Sequence, residues 1–203
     1  NGTAEFENVR IRGTLSTTVF EKESVNAVGG QLLISNSTQI TGSTETSPSE
    51  SAIHVENVSG FQIGEILKAK KVSATGFQTE YLYVTGSKRT NDSSDTDLSG
   101  FIHVTRGYSG SLHESSSFLA GLASNSQSYE PGQVLVSTGV TGSGFILLNA
   151  NPGDTSTPYI DIIERTGSNI YDIEHKVRLG DLSGLSSGLL YGEANPGFGL
   201  FTE

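Results

Sequence analysis

One short stretch, 101-FIHVTRGYSGSLHESSS-117, gathers an arginine, a tyrosine, two histidines and several serines around a glycine pair. These types supply nucleophiles, bases and phosphate grips, so nucleophilic, metal and phosphate chemistry are the readings to test. No GxSxG elbow accompanies them, and Ser, His and Asp are too abundant here for their coexistence to carry weight. The four histidines, His54, His103, His113 and His175, include no i,i+4 pair and no HExxH, which a helical zinc site needs. Cysteine is absent, which removes thiolate chemistry and disulfides. Asp92, Asp95 and Asp97 in "NDSSDTD" offer the hard oxygens that calcium accepts. They lack the central Gly and bidentate Glu of an EF-hand loop, and a solvated loop is the expectation. Asp154 and Asp161 in "NPGDTSTPYIDI" read the same way, as turn residues. The run 139-GVTGSGF-145 has no GxxxxGK[ST] pattern and no helix after it, so it reads as a hairpin turn between "QVLVST" and "FILLNA". Carboxylate pairs for glycosidic cleavage can be chosen in many ways, none favoured by local context. Tyr81, Tyr83, Tyr108, Tyr129, Tyr159 and Phe145 could stack on sugars, but on alternating strands aromatics pack as core. No catalytic residue, metal or cofactor is expected.

The elements that hold these residues are short strands. Seven runs, "AIHVENV", "EILKAKKV", "TEYLYVTG", "FIHVTRG", "QVLVSTG", "GFILLNA" and "YIDIIER", are separated by Gly, Asn, Asp and Pro signals, the pattern of a small all-β sandwich or barrel. We place this globular β domain at 52–167. Before it, residues 1–40 alternate over "EFENVRIRG" and again over "QLLISNSTQI", which reads as a β shaft. The Ser/Thr/Pro stretch 41-TGSTETSPSES-51 reads as a linker. Residues 168–203 form a third segment. In "NIYDIEHKVRLGDL" Ile173, His175, Val177 and Leu179 share one parity, and the dense glycines after it suggest tight corners in an interwoven β segment. The polar loop 90-TNDSSDTDLSG-100 is expected to join two hairpin strands.

Composition limits the partners. The 203 residues are 34% hydrophobic and 17% charged, with a net charge of −10 and pI near 4.8. An acidic chain lacks the basic stripe that nucleic acid requires and is disfavoured on anionic membranes. No apolar run approaches the about 20 residues of a membrane helix, and no signal peptide opens the chain. A start at Asn1 with no Met anywhere is what a piece of a longer polypeptide would show. Four N-x-[ST] sequons, at Asn1, Asn36, Asn57 and Asn91, are close to what chance supplies in so Ser/Thr-rich a chain. The low apolar share is thin for one large core, and small cores often rely on oligomerisation.

The blocks "GFQIGEILKAKKV", "TEYLYVTG" and "FIHVTRGYSGSLHESSSFLAG" together resemble a module of tailed-bacteriophage tail fibre and tail tip proteins. The matching residues are Gly64, Glu80, Val84, Thr85, Val104, Thr105, Arg106, Gly107, Tyr108, Gly110 and His113. Ser111 departs from the Thr of that pattern, and "ESSSFLAG" departs from its Ala/Gly spacing. "VRLGDLSGL" with "GLLYGEANPGFGLFTE", and "EFENVRIRGTLS" near the start, are similar to other stretches of such fibres. The resemblance touches about two thirds of the chain. It implies a homotrimeric virion component, exposed outside the cell, that joins other tail proteins and contacts a host-surface glycan or protein. Glu80, Arg106, Gly107, Tyr108, Gly110 and His113 then form a structural turn motif. Arg106 is expected to pair with Glu80 on the adjacent strand, the glycines to allow positive φ, and His113 to anchor the turn. The fold expected is an all-β elongated fibre with a shaft, a small sandwich or barrel and an interwoven Gly-rich segment. A glycan-degrading tailspike and a secreted carbohydrate-binding adhesin stay open as alternatives.

Overall fold

The computed structural model describes residues 30–42, 51–73, 76–93, 96–108, 128–186, 188–193 and 196–203, with backbone alone for 71–73 and 76–78. Residues 1–29 of the shaft expected over 1–40, most of the linker, Gly110 and His113 lie outside the described residues. What is described is all-β, with no helix among the described residues: eleven strands in two antiparallel sheets.

The first sheet is a barrel. It takes the order β2 (Ser37–Gln39), β7 (Val134–Ser137), β4 (Ile66–Ser73), β5 (Gly76–Arg89), β6 (Gly100–Thr105), β3 (Ala52–Val55). Alternation decides its curvature, because one parity of each strand turns inward. Ile53 and Val55 of β3, Leu67 and Ala69 of β4, Leu82 and Val84 of β5, Ile102 and Val104 of β6, and Leu135 of β7 are all buried in one cluster. Filling that interior draws the two edges together. Ile40 bridges Val55, the Thr41 amide donates to the His54 carbonyl and the Glu56 amide to the Gln39 carbonyl, both at 2.9 Å. The sheet thus rolls back on itself, which removes exposed edges that would otherwise pair with other chains. Each fully buried Leu or Ile contributes roughly 1.5–3 kcal/mol, and Leu82→Ala would forfeit about 2–5 kcal/mol through the cavity it leaves.

The second sheet is open, with the order β1 (Gln31–Ile34), β8 (Gly144–Asn149), β9 (Tyr159–Arg165), β10 (Ile173–Asp181), β11 (Phe198–Thr202). Its inner face carries Asp161, Ile163, Arg165 and Arg178, all buried. Arg165 ties this sheet to the barrel. Its Nε and Nη2 donate to the Thr138 carbonyl and hydroxyl at 3.1 and 2.8 Å, and its Nη1 to the Asn169 carbonyl at 2.7 Å. Burial lowers the pKa of this guanidinium, and Tyr81, Asp172 and Tyr108 work against that shift. Beside it, Ile170 from the β9–β10 turn packs with Ile66 and Tyr108 on the barrel's outer wall, and the Tyr108 hydroxyl donates to the Ser168 carbonyl at 2.9 Å.

The sheets group the chain differently from the segments drawn on sequence. "QLLISNSTQI" is two strands rather than one: β1 enters the open sheet and β2 the barrel, with the change of sheet at Ser35 and Asn36. The line at 167/168 falls between β9 and β10, which pair from Ile173–Arg165 to Gly180–Tyr159. The 139–145 run is a correction. It is a turn, with Gly139 and Gly142 at φ of 90° and 85°, but it carries the chain from the barrel to the open sheet instead of closing a hairpin, because β7 pairs with β2 and β4 while β8 pairs with β1 and β9. The loop 90–99 does join paired strands, β5 and β6.

Candidate functional site

The stretch that invited a catalytic reading ends in a closed hydrogen-bonded cluster. Glu80 on β5 shares the inward parity of Leu82 and Val84, so its carboxylate lies inside the barrel wall at 0% exposure. Arg106, just past β6, shares the parity of Ile102 and Val104 and reaches it diagonally. Its Nε donates to Glu80 Oε1 at 2.9 Å and its Nη2 to Oε2 at 2.6 Å. The Gly107 amide adds a donor to Oε1 at 3.1 Å, and the Tyr129 hydroxyl one to Oε2 at 2.7 Å. Gly107 has φ of 59°, in the left-handed region that suits glycine best. The Arg106 guanidinium also lies 5.3 Å from the Tyr129 ring centre. Four donors satisfy a buried carboxylate as completely as its oxygens allow. Burial, and then the Glu80 charge, push the Tyr129 hydroxyl well above its ordinary pKa, so it donates and does not act as a base.

Tyr108, the remaining described member of the expected motif, stands apart from this carboxylate. It is buried against Ile66 and stacks at 4.8 Å on Tyr83. Tyr129 belongs to the cluster although sequence reasoning placed it only among aromatics. Nothing local could have found it, since 49 residues separate it from Glu80. The aromatic residues weighed as a sugar platform are distributed through packing instead, with Tyr129 and Tyr108 buried and Tyr159 under Arg178 at 3.9 Å.

A second charged cluster, unmarked by any motif, sits on the inner face of the open sheet. Arg178 donates to both Asp161 oxygens at 2.6 Å, and His175 Nδ1 lies 3.0 Å from Asp161 Oδ2. Burial works to raise the Asp161 pKa, yet the hydrogen bonds from His175 and Arg178 and the Arg178 charge outweigh it and hold the carboxyl below its ordinary value. An Asp–His pair is half of a nucleophile-activating arrangement. Here Arg178 occupies both carboxylate oxygens, and among the described residues no hydroxyl nucleophile joins the imidazole by a hydrogen bond. Asp154, weighed with Asp161 as a ligand pair, instead accepts from Asn149 and from the Ser156 amide. Asp97 caps the Ser99 amide. Among the described residues no group of three or more acidic or histidine side chains is arranged to hold a metal.

Among the described residues, a polar groove and an apolar sheet face stand open. The groove, of about 890 Å3, runs along the barrel seam, where Gln39, Thr41, His54, Glu56, Asn57 and Asp97 meet. His54 contacts Thr41 Oγ1 at 3.3 Å and packs edge-on to Phe101 at 4.2 Å. The other is the outer face of the open sheet, which is apolar across all five strands. In register, Leu32, Leu148, Ile160, Leu179 and Leu200 form one row. Ile34, Ile146, Ile162, Val177 and Thr202 form the next. Leu179 is 52% exposed, Leu200 64% and Phe198, beyond the first row, 69%.

No family model, curated protein or solved structure matches the chain.

Proposed function

We propose that this chain is a structural component of a bacteriophage tail fibre or tail tip, taking part in host-surface attachment and working without catalysis. The observation that supports it most is the Glu80–Arg106–Gly107–Tyr129 cluster. The residues whose sequence pattern resembles tail fibre modules spend their chemistry on one another, as a lock between β5, the end of β6 and the segment carrying Tyr129. A buried ion pair with every acceptor filled suits a part that fixes conformation, which supports a structural role. The thin apolar composition adds support, since copies that pack together share the core each lacks.

Native mass spectrometry and electron microscopy of the purified chain test this reading. A slender trimer is the expected result, and a stable monomer at micromolar concentration overturns it. Release of reducing ends from capsule or lipopolysaccharide would replace it with the tailspike reading.

The seam groove favours a second reading, a carbohydrate-binding module. Amide, carboxylate and imidazole groups beside the half-exposed Phe101 are the ingredients of diol recognition with ring stacking. Glycan-array binding by a monomer, lost in His54→Ala and Glu56→Ala, would select it.

A further inference from the structure

The outer face of the open sheet is built like the inside of a protein. Antiparallel sheets commonly solvate one face, and that face then carries polar residues. Here the alternation is inverted. The inner face holds the Asp161–Arg178–His175 cluster, while the outer face holds one apolar row that crosses every strand and a second that is apolar on four and ends at Thr202. Leu32, Ile34, Ile160, Ile162, Leu179 and Leu200 are each between 40% and 64% exposed. At roughly 200 Å2 for a large side chain fully open, these six and Phe198 leave about 700 Å2 bare. The largest apolar patch of a typical monomer is roughly 300–600 Å2, whereas a protomer contributes about 800 Å2 to a standard interface.

We infer that this face is where copies of the chain pack on one another, an assignment that deepens the fibre reading and rests on it for the number of copies. Charge identifies the occupant. The two rows hold no charged residue, so copies that each carry a net charge of −10 meet there without bringing like charges into contact. At the end of the face near Thr202, Lys176 lies 3.4, 2.8 and 2.7 Å from Glu164, Glu174 and Glu203. That rim keeps an excess of negative charge, which repels an anionic lipid surface. A copy of the same chain brings a matching uncharged face in equal amount and keeps its like charges at the rim, the usual anatomy of an apolar core within a polar border. Geometry accepts such partners. Five strands about 4.8 Å apart span about 19 Å from the first to the last, so three such faces around an axis stand about 5.5 Å from it, and two stacked faces about 5 Å from their midplane. Leu and Ile side chains meet in either arrangement.

The test compares native masses of the wild type, Ile162→Lys, Leu179→Lys and, as a control away from the face, Tyr171→Lys, each checked for folding by circular dichroism. Ile162 and Leu179 already point outward, so a lysine there can reach water in a monomer. The expected result is an oligomer for the wild type and Tyr171→Lys, and monomers, with dissociation shifted at least 100-fold, for the two face variants. Hydroxyl-radical footprinting of the wild type at rising concentration gives a reading independent of variant folding, with protection expected at Leu179 and Leu200. An oligomer that persists in both face variants, with no protection at these residues, overturns the assignment and leaves the fibre reading standing. A wild type that stays monomeric overturns both, and concentration-independent protection would show that another segment of the same chain covers the face.

Discussion

Arg106 forks Glu80 through Nε and Nη2 at 2.9 and 2.6 Å, with side-chain exposures of 4% and 0%. Removing one partner strands the other without water. Arg106→Ala is therefore expected to cost about 3–5 kcal/mol. Arg106→Lys recovers only part of that, because an ammonium cannot fork a carboxylate. Tyr129→Phe leaves Glu80 three of its donors and should cost about 1–2 kcal/mol. Urea unfolding of the three variants checks the order, and an Arg106→Ala chain as stable as wild type would remove the cluster from any structural role.

Acid should act through Asp161. Its pKa is depressed in the fold, so its contribution is complete above the unfolded value near 3.9 and fades as pH falls through the lower folded value. Thermal melts of the wild type should hold steady above about pH 4 and fall below it. Asp161→Asn should melt lower at neutral pH and show a flatter acid limb. A variant that keeps the full acid slope would assign the acid sensitivity to other carboxyls.

Arg165 is a polar link between the two sheets, and its acceptors are carbonyls and a hydroxyl, with no carboxylate hydrogen-bonded to it among the described residues. Arg165→Ala orphans the Thr138 and Asn169 carbonyls and should cost at least about 2 kcal/mol. Calorimetry should also resolve two transitions where the wild type shows one, as the barrel and open sheet lose their coupling. A single transition at the wild-type temperature would sink this expectation.

Close backbone approach makes Gly144 intolerant of any side chain. A Cβ there would run into the Ile163 carbonyl on the paired strand, whereas Gly188 faces open space. Gly144→Ala should destabilise by about 1–3 kcal/mol or more, with Gly188→Ala close to neutral. Paired denaturation curves separate the two.

Alternation and turn chemistry made most strands legible: all seven runs marked in the globular segment contain strands, β3 to β9. The tail shows where the same rule misleads. Ile173, His175, Val177 and Leu179 share parity in sequence, but a bulge between His175 and Val177 moves the last two to the opposite face. His175 therefore meets Asp161 while Val177 and Leu179 join the apolar rows. A bulge adds one residue to one strand and leaves no local mark in composition. Arg106 with Glu80 was readable because a strand-to-strand neighbour relation follows from a hairpin. Asp161 with Arg178 could have followed from the β9–β10 hairpin in the same way, had the bulge not hidden the register. Ser35 and Asn36, where the chain leaves one sheet for the other, look like any polar pair. The apolar face was hidden for another reason: single exposed Leu and Ile residues are ordinary, and only the five-strand register lines them up.

The position of β1 and β11 gives the open sheet a mechanical character. They are its two outer strands, and they run in the same direction, since each of the four pairings between them is antiparallel. A pull applied at residue 30 and at residue 203 therefore enters at one end of the sheet and leaves at the other. It slides the strands past one another and stretches all their hydrogen bonds at once, rather than peeling them apart in turn. The barrel, inserted in sequence between β1 and β8, lies off the path by which the paired strands pass that tension from β1 to β11.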